Sequence, residues 1–270
     1  MPNPVFNENS LKQASSTWAA PVRGTQFEPQ PVATDGPIST WQPAMTINGT
    51  ITAALVFFTI LLVSAAFGWN AAEGPTLENG VETYRFPGIA LLGIIVGFVA
   101  VMIAMRKPKL AKWLGAVYAV GFGFAVGAIS RGYETFYDGI VVQAAGATAA
   151  VFAVMLVLYR TRIIKVTERF RRIVVGATLG IMLFYLVAFV IRLFGGSVPF
   201  LDSPSLLGIG FSIFVVGIAA MNLALDFDLV ERGVEMRLPK DYEWVGALGI
   251  VVTIVWLYLE MLRLLSKLRQ

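Results

Sequence analysis

The chain of 270 residues contains no cysteine and no histidine, and only 14% of its residues are charged. Without cysteine, the protein has no disulfide, no thiolate metal site and no cysteine nucleophile. Without histidine, it lacks the usual protein ligand of haem and of most transition metals, and it has no imidazole for acid–base catalysis or pH sensing. Any proton sensing must therefore depend on carboxylates.

Sequence motifs of enzymes and of nucleotide-binding proteins are also missing. No glycine-rich phosphate-binding or dinucleotide-binding motif occurs. The segment Gly127-Ala-Ile-Ser-Arg-Gly132 superficially resembles a serine-protease turn, but a Ser-His pair is impossible without histidine. The last apolar run has no lysine deep inside it for a retinal Schiff base, because Lys267 stands at its end. We therefore expect no enzymatic activity and no cofactor.

Apolar residues dominate the composition. They make up 57% of the chain, and the mean hydropathy is +0.72, well outside the range of soluble domains. The net charge is +4, but the basic residues lie in short connections between apolar runs, which is typical of membrane topology and argues against nucleic-acid binding. The composition predicts a polytopic membrane protein with lipids as its immediate partners.

The apolar runs divide the chain into a tail and a membrane domain. Residues 1–45 are rich in Pro, Ser, Thr, Asn and Gln, which predicts a flexible tail. Residues 46–270 contain seven runs with little or no charge, each able to span a membrane as a helix. We therefore predict an all-α fold with seven transmembrane helices at about 47–69, 88–105, 113–130, 139–159, 173–191, 203–225 and 244–262.

The charges of the connections predict the orientation. The segment 106–112 has four cations and no acid, and 160–172 has six cations and one acid, whereas 70–87 and 131–138 are rich in acids. Because cytoplasmic connections are the basic ones, the tail is predicted to be cytoplasmic. The protein itself is expected in a plasma membrane or a bacterial inner membrane. Seven crossings place the C-terminus outside. The cations near residue 270 leave open a last helix that does not cross.

Small residues recur at four-residue spacing in three runs. The pairs are Gly93 with Gly97, Gly123 with Gly127, and Gly176 with Gly180. Such spacing lets helix backbones approach closely in lipid. It predicts a compact bundle.

The acids that follow the sixth run provide the candidate site. The run 203–225 carries no charge, so Asp226 is predicted at or just inside the membrane boundary, where ionisable residues are functional candidates. Asn222 lies one turn before Asp226 on the same helix face. Asp228, two residues after Asp226, points to roughly the opposite side of the helix, where it can form a solvated pair with Arg232 at i+4. The reading of Asp226 as a hydrated residue at headgroup level stays open.

Two further predictions concern partners for these acids. Arg106 ends the second run and Arg160 ends the fourth on the predicted cytoplasmic side, and we expect Asp226 and a cation such as Arg106 to form a latch that protonation opens. Glu260, near the other end of the last run, is expected to pair with Arg263 or Arg192, with an outer gate as the alternative.

Three segments make the chain resemble the Bax-inhibitor/YccA family of seven-helix membrane proteins. They are Ile140–Phe152, Leu225–Asp228 and the stretch from Tyr242 to Leu265. The resemblance implies a central seventh helix and a pH-sensitive calcium leak with roles in stress protection and protease regulation. The resemblance also implies a site made of a pair of aspartates linked to an arginine of the second helix. Asp226 matches the first aspartate, with Asp228 as the alternative, and Arg106 matches the arginine. Thr253 stands where the second aspartate is expected.

The sequence leaves alternative functions open. The first is a leak for calcium or other cations. The second is a regulator that conducts nothing and binds other membrane proteins, and the third is a small proton-coupled transporter. The third is disfavoured because the chain lacks two similar halves with broken helices.

Overall fold

The computed structural model describes residues 44–72, 76–78, 81–84, 86–196, 198, 201 and 203–270, with the backbone alone over 76–78 and 81–83. The chain divides into two units, Met1–Trp41 and Gln42–Gln270. The first unit lies outside the described residues, as does nearly all of the tail predicted over 1–45. The flexibility and cytoplasmic position of the tail therefore stay predictions.

Seven helices make up most of the described chain, and all seven are long and apolar enough to cross a membrane. The predicted all-α fold with seven spans is therefore confirmed. A 3-10 turn at Pro108–Leu110 precedes the third helix, and an antiparallel hairpin of β1 (Thr76–Glu78) and β2 (Val81–Thr83) lies in the predicted loop between the first two. The helices are α1 (Ile47–Ala71), α2 (Gly88–Arg106), α3 (Ala111–Phe136), α4 (Ile140–Arg160), α5 (Glu168–Leu193), α6 (Leu206–Glu235) and α7 (Tyr242–Leu268).

Side-chain caps fix where three of the helices begin. The hydroxyl oxygens of Thr46, Thr167 and Ser205 each accept a hydrogen bond from the backbone N–H three residues ahead, at 3.0, 3.2 and 3.1 Å. Each bond satisfies an N–H that has no partner inside the helix. Gly139 precedes α4 with φ of 72°, a conformation that glycine adopts without steric strain.

The seventh helix forms the centre of the bundle. In its most apolar window 67% of the residues are buried, against 17% for α5. α7 packs against α1, α2, α3, α4 and α6, whereas α5 packs mainly on α6. Leu248, Leu257 and Leu262 of α7 are fully buried. The central position that the family resemblance implies for the last helix is therefore present.

Glycines let α1, α2 and α3 approach closely. A Cβ atom at Gly127 would overlap the backbone of Ala65 in α1, and one at Gly93 of α2 would overlap the backbone of Gly121 in α3. The third predicted pair does not pack. Gly176 and Gly180 have open space around them, because α5 buries a different face, with Val174 and Ile181, against its neighbours. The packing prediction was therefore wrong for α5.

Gly127→Leu is expected to destabilise the protein by about 2–3 kcal/mol, because the new side chain must push α1 and α3 apart. The melting temperature of the purified protein in detergent should fall by roughly 5–10 °C. Gly180→Leu, which adds the same side chain at an open position, is the control and should leave the melting temperature nearly unchanged. Equal losses in both variants would contradict the packing role of Gly127.

Candidate functional site

Asp226 lies inside α6 and not at its end. The helix continues for nine residues beyond it, about 14 Å, to Glu235. The carboxyl oxygen Oδ2 of Asp226 is buried and has no hydrogen-bond partner in the described part of the protein. Buried polar atoms are nearly always paired, so an orphaned carboxyl oxygen requires a physical or functional explanation.

Two residues of α7 surround the other side of this carboxyl group. Gly249 is buried against it, and a Cβ atom there would lie 3.3 Å from Oδ1 of Asp226. The hydroxyl group of Thr253, one turn further along α7, is the polar side chain that lies next to it. Among the described residues, the structure thus places Thr253, and no second carboxyl group, against Asp226. No group of three or more acids suited to hold a metal ion occurs among the described residues.

Asn222 shares the α6 surface with Asp226 but connects to a different helix. Its Nδ2 donates to Oγ1 of Thr178 in α5 at 2.8 Å and to the backbone oxygen of Ile218 at 2.9 Å. The amide group therefore ties α5 to α6. It forms no hydrogen bond with Asp226 in the described part of the protein, so the polar environment of that carboxyl group comes from α7.

Asp228 is the buried acid of an ionic cluster near the end of α6. Its Oδ2 lies 2.8 Å from Nε of Arg232, the i+4 partner predicted from the sequence, and 2.8 Å from Nη2 of Arg171 in α5. The predicted pair with Arg232 is present, but its acid is not solvated as expected: Asp228 is only 8% exposed, whereas the Arg232 side chain is 40% exposed. Arg171 closes over Asp228 from α5, and a contact across helices could not be read from spacing within α6.

Arg106 is not near enough to form the predicted latch. It is exposed at the end of α2 and forms no ion pair with any described residue. The reason is topological, since α2 packs against α3 and does not reach α6. Arg160 likewise forms no ion pair in the described ranges. Asp226 therefore has no cationic partner among the residues that the structure describes.

Glu260 occupies a second polar site in α7. It is 3% exposed, and Nη1 of Arg263 lies 3.0 Å from Oε1 and 3.2 Å from Oε2. The hydroxyl group of Tyr185 in α5 donates to Oε2 at 3.1 Å, and the Arg263 guanidinium stacks over the same tyrosine ring. Of the two partners that the sequence suggested, Arg263 is the one that the structure pairs with Glu260.

Two charged residues at the ends of α7 are buried, and neither was predicted from the sequence as a site residue. Glu243 accepts hydrogen bonds from the backbone N–H and the hydroxyl group of Thr46, at 3.0 and 2.9 Å, beneath the start of α1. Lys267 donates to the Gly208 carbonyl and the Ser212 hydroxyl group in the first turns of α6, both at 2.9 Å. Both groups lie far along the chain from their partners, so only the folded bundle reveals the pairs.

A comparison with protein families matches the chain to the family described as Bax inhibitor 1 like over residues 3–270. The chain belongs to this family. The match extends the resemblance noted over the helices to nearly the whole chain, including the tail. A comparison with curated proteins finds no match. Family membership agrees with the seven-span membrane architecture.

Membership in the Bax inhibitor 1 like family makes the α6–α7 contact the main candidate site. The aspartate pair implied by the resemblance would place its second carboxyl group on α7. In this member the α7 residue that acts on Asp226 is Thr253, a hydroxyl group that carries no charge near neutral pH. Two aspartates would share a proton and titrate as a coupled pair, whereas a lone carboxyl group titrates as one site.

Proposed function

We propose that this Bax inhibitor 1 like protein is a pH-sensitive leak for cations, with calcium as the expected ion, and that Asp226 is its titrating group. The observation that supports this is the buried Oδ2 of Asp226, which has no partner in the described part of the protein although it lies within a membrane-spanning helix. Ionisable groups at such depth are costly unless something compensates them, and they are often found on ion pathways.

The direction of the pH effect follows from the surroundings of Asp226. No cation of the described residues pairs with its carboxyl group, so protonation breaks no ion pair there and only removes a negative charge. The ionised group attracts a passing cation, whereas the neutral group does not. The leak should therefore weaken when the pH is lowered through the titration of Asp226.

The surroundings of Asp226 favour passage of an ion over tight binding. Calcium takes six to eight oxygen ligands. The described neighbours of the carboxyl group in α7 are Gly249 and the hydroxyl group of Thr253. One carboxylate and one hydroxyl group can attract calcium briefly, but they cannot replace its hydration shell.

A second function is favoured by the loose packing of α5. Only 17% of its most apolar window is buried, and Gly176 and Gly180 open onto the surface of that helix. Such a face allows the helix of another membrane protein to approach closely. A regulator that conducts nothing and binds other membrane proteins, in stress protection or protease control, would use this face.

Calcium influx into dye-loaded proteoliposomes at two pH values tests the leak directly. Purified protein should admit calcium faster than protein-free liposomes, and the rate should be lower at the more acidic pH. Addition of an ionophore at the end of each run checks that the dye responds equally at both pH values. No flux at either pH would contradict the leak and support the regulator.

The orientation is proposed together with the function. The basic segments 106–112 and 160–172 belong to the same end of a bundle of seven crossing helices. We propose that this end faces the cytoplasm and that the membrane is the plasma membrane or an inner membrane. A reporter fused after residue 270 should then be active outside the cytoplasm. The same reporter fused at the connection 160–172 should be cytoplasmic. A cytoplasmic signal from residue 270 would contradict the proposed topology.

A further inference from the structure

A long cleft separates α1 from α4. These two helices are described along their whole lengths and do not pack on each other, and the space between them has a volume of about 1120 Å³. Its floor is formed by the α7 residues Ile250, Val251, Ile254 and Val255. We call this space the α1–α4 cleft. Asp226 and Thr253 do not line it, so it is separate from the site proposed for the leak.

The dimensions and lining of the α1–α4 cleft match hydrocarbon chains. It extends along α1 from Ile47 to Trp69, which is about 33 Å of helix and comparable to the thickness of a bilayer core. The walls are mostly aliphatic and aromatic, and wall residues such as Leu55, at 62% exposed, open towards the surrounding lipid. An acyl chain can therefore enter sideways without leaving an apolar environment.

One end of the cleft is charged. Arg160 and Arg162 line it beside Tyr159 and Glu231. Glu231 pairs with Arg162 and accepts a hydrogen bond from the Tyr159 hydroxyl group. Arg160 is exposed and forms no ion pair with any residue that the structure describes. The two guanidinium groups and one carboxylate therefore leave this end with a net positive charge.

We propose that the α1–α4 cleft binds an anionic phospholipid from the leaflet at this end, with its acyl chains between α1 and α4 and its phosphate at Arg160 and Arg162. Guanidinium groups bind phosphate through paired, charge-assisted hydrogen bonds. Basic pockets between membrane helices on the cytoplasmic side suit anionic headgroups. The charge at one end and the apolar length of the cleft correspond to the two parts of such a lipid.

Binding of a phospholipid with a fluorescent acyl chain to the full-length protein in neutral detergent tests the proposal. Unlabelled phosphatidylglycerol should displace the probe at least about fivefold more effectively than phosphatidylcholine, the ratio expected from one cationic contact. Arg160→Gln should remove most of this preference. Arg172→Gln, an equal loss of charge at an exposed residue of α5 outside the cleft, should preserve it. Equal effects of both variants would overturn the proposal.

A pair of variants in α4 tests the position of the acyl chains. Ala149→Phe fills the cleft and should weaken displacement by both lipids at least about fivefold, because it takes up space between the helices. Ala150→Phe adds the same ring at an exposed position that does not line the cleft, and it should bind like the wild type. The proposal would be overturned if Ala149→Phe binds lipid like the wild type. It would also be overturned if light scattering shows that this variant instead disrupts a dimer.

Discussion

Asp226→Asn is expected to make calcium flux independent of pH and to lower it about tenfold at the pH where the wild type conducts best, a change equivalent to about 1.4 kcal/mol. The asparagine side chain keeps the size and the polarity of the carboxyl group but cannot ionise. It therefore resembles the protonated state at every pH. Flux should be measured in proteoliposomes across a pH series, with equal amounts of protein in the membrane.

Glu235→Gln is a matched control for this experiment. It makes the same change from acid to amide on the same helix, at an exposed residue near the end of α6. The control should keep the pH dependence of the wild type. If Asp226→Asn keeps it too, Asp226 is not the titrating group. If both variants lose it, the effect does not belong to the buried site.

The partner of Asp226 on α7 offers a second variant at the same site. Thr253→Asp places a second carboxyl group beside the first, so two interacting groups would titrate in place of one. The pH curve of the flux should broaden from a single proton step to two steps. An unchanged single step would show that Thr253 does not share the environment of Asp226, against the contact in the structure.

The seven helices were predictable because apolar runs of spanning length are a strong signal. The predicted ends of the helices were less accurate, because most predicted runs end just before a charged residue. The third run was expected to end at Ser130, yet α3 continues to Phe136. Arg131 stacks over the Trp69 ring, and Glu134 accepts hydrogen bonds from the backbone N–H groups of Gly139 and Val141. Charges mark the end of an apolar run, but they do not end the helix, which keeps its backbone hydrogen bonds beyond Ser130.

The candidate site was predictable only where partners are close in sequence. The pairs Asp228 with Arg232 and Glu260 with Arg263 follow from helical spacing, and both occur. To predict correctly whether Asp226 and Arg106 form a latch, one must know which helices are neighbours. The charges of the loops indicate only the end of the bundle at which a residue lies. Glu243 and Thr46 are separated by 197 positions, so no local pattern connects them.

Arg263→Met is expected to destabilise the protein by about 3–5 kcal/mol, because it removes the ion-pair partner of a buried acid. Glu260 is 3% exposed in the folded protein, and without Arg263 the Tyr185 hydroxyl group is the donor left to it among the described residues. One neutral donor cannot replace a guanidinium group that lies within 3.2 Å of both carboxyl oxygens. The melting temperature in detergent should fall by roughly 10 °C or more.

The double variant Glu260→Gln with Arg263→Met separates the lost ion pair from the lost packing. Its glutamine can still accept the hydrogen bond from Tyr185, and no unpaired charge stays buried, so more than half of the lost stability should return. Arg172→Met, at an exposed position, should change stability by no more than about 0.5 kcal/mol. The contrary result is a double variant as unstable as Arg263→Met alone. The loss of stability would then come from the missing contacts of the arginine side chain with Tyr185 and other neighbours. Glu260 would not depend on the charge of Arg263.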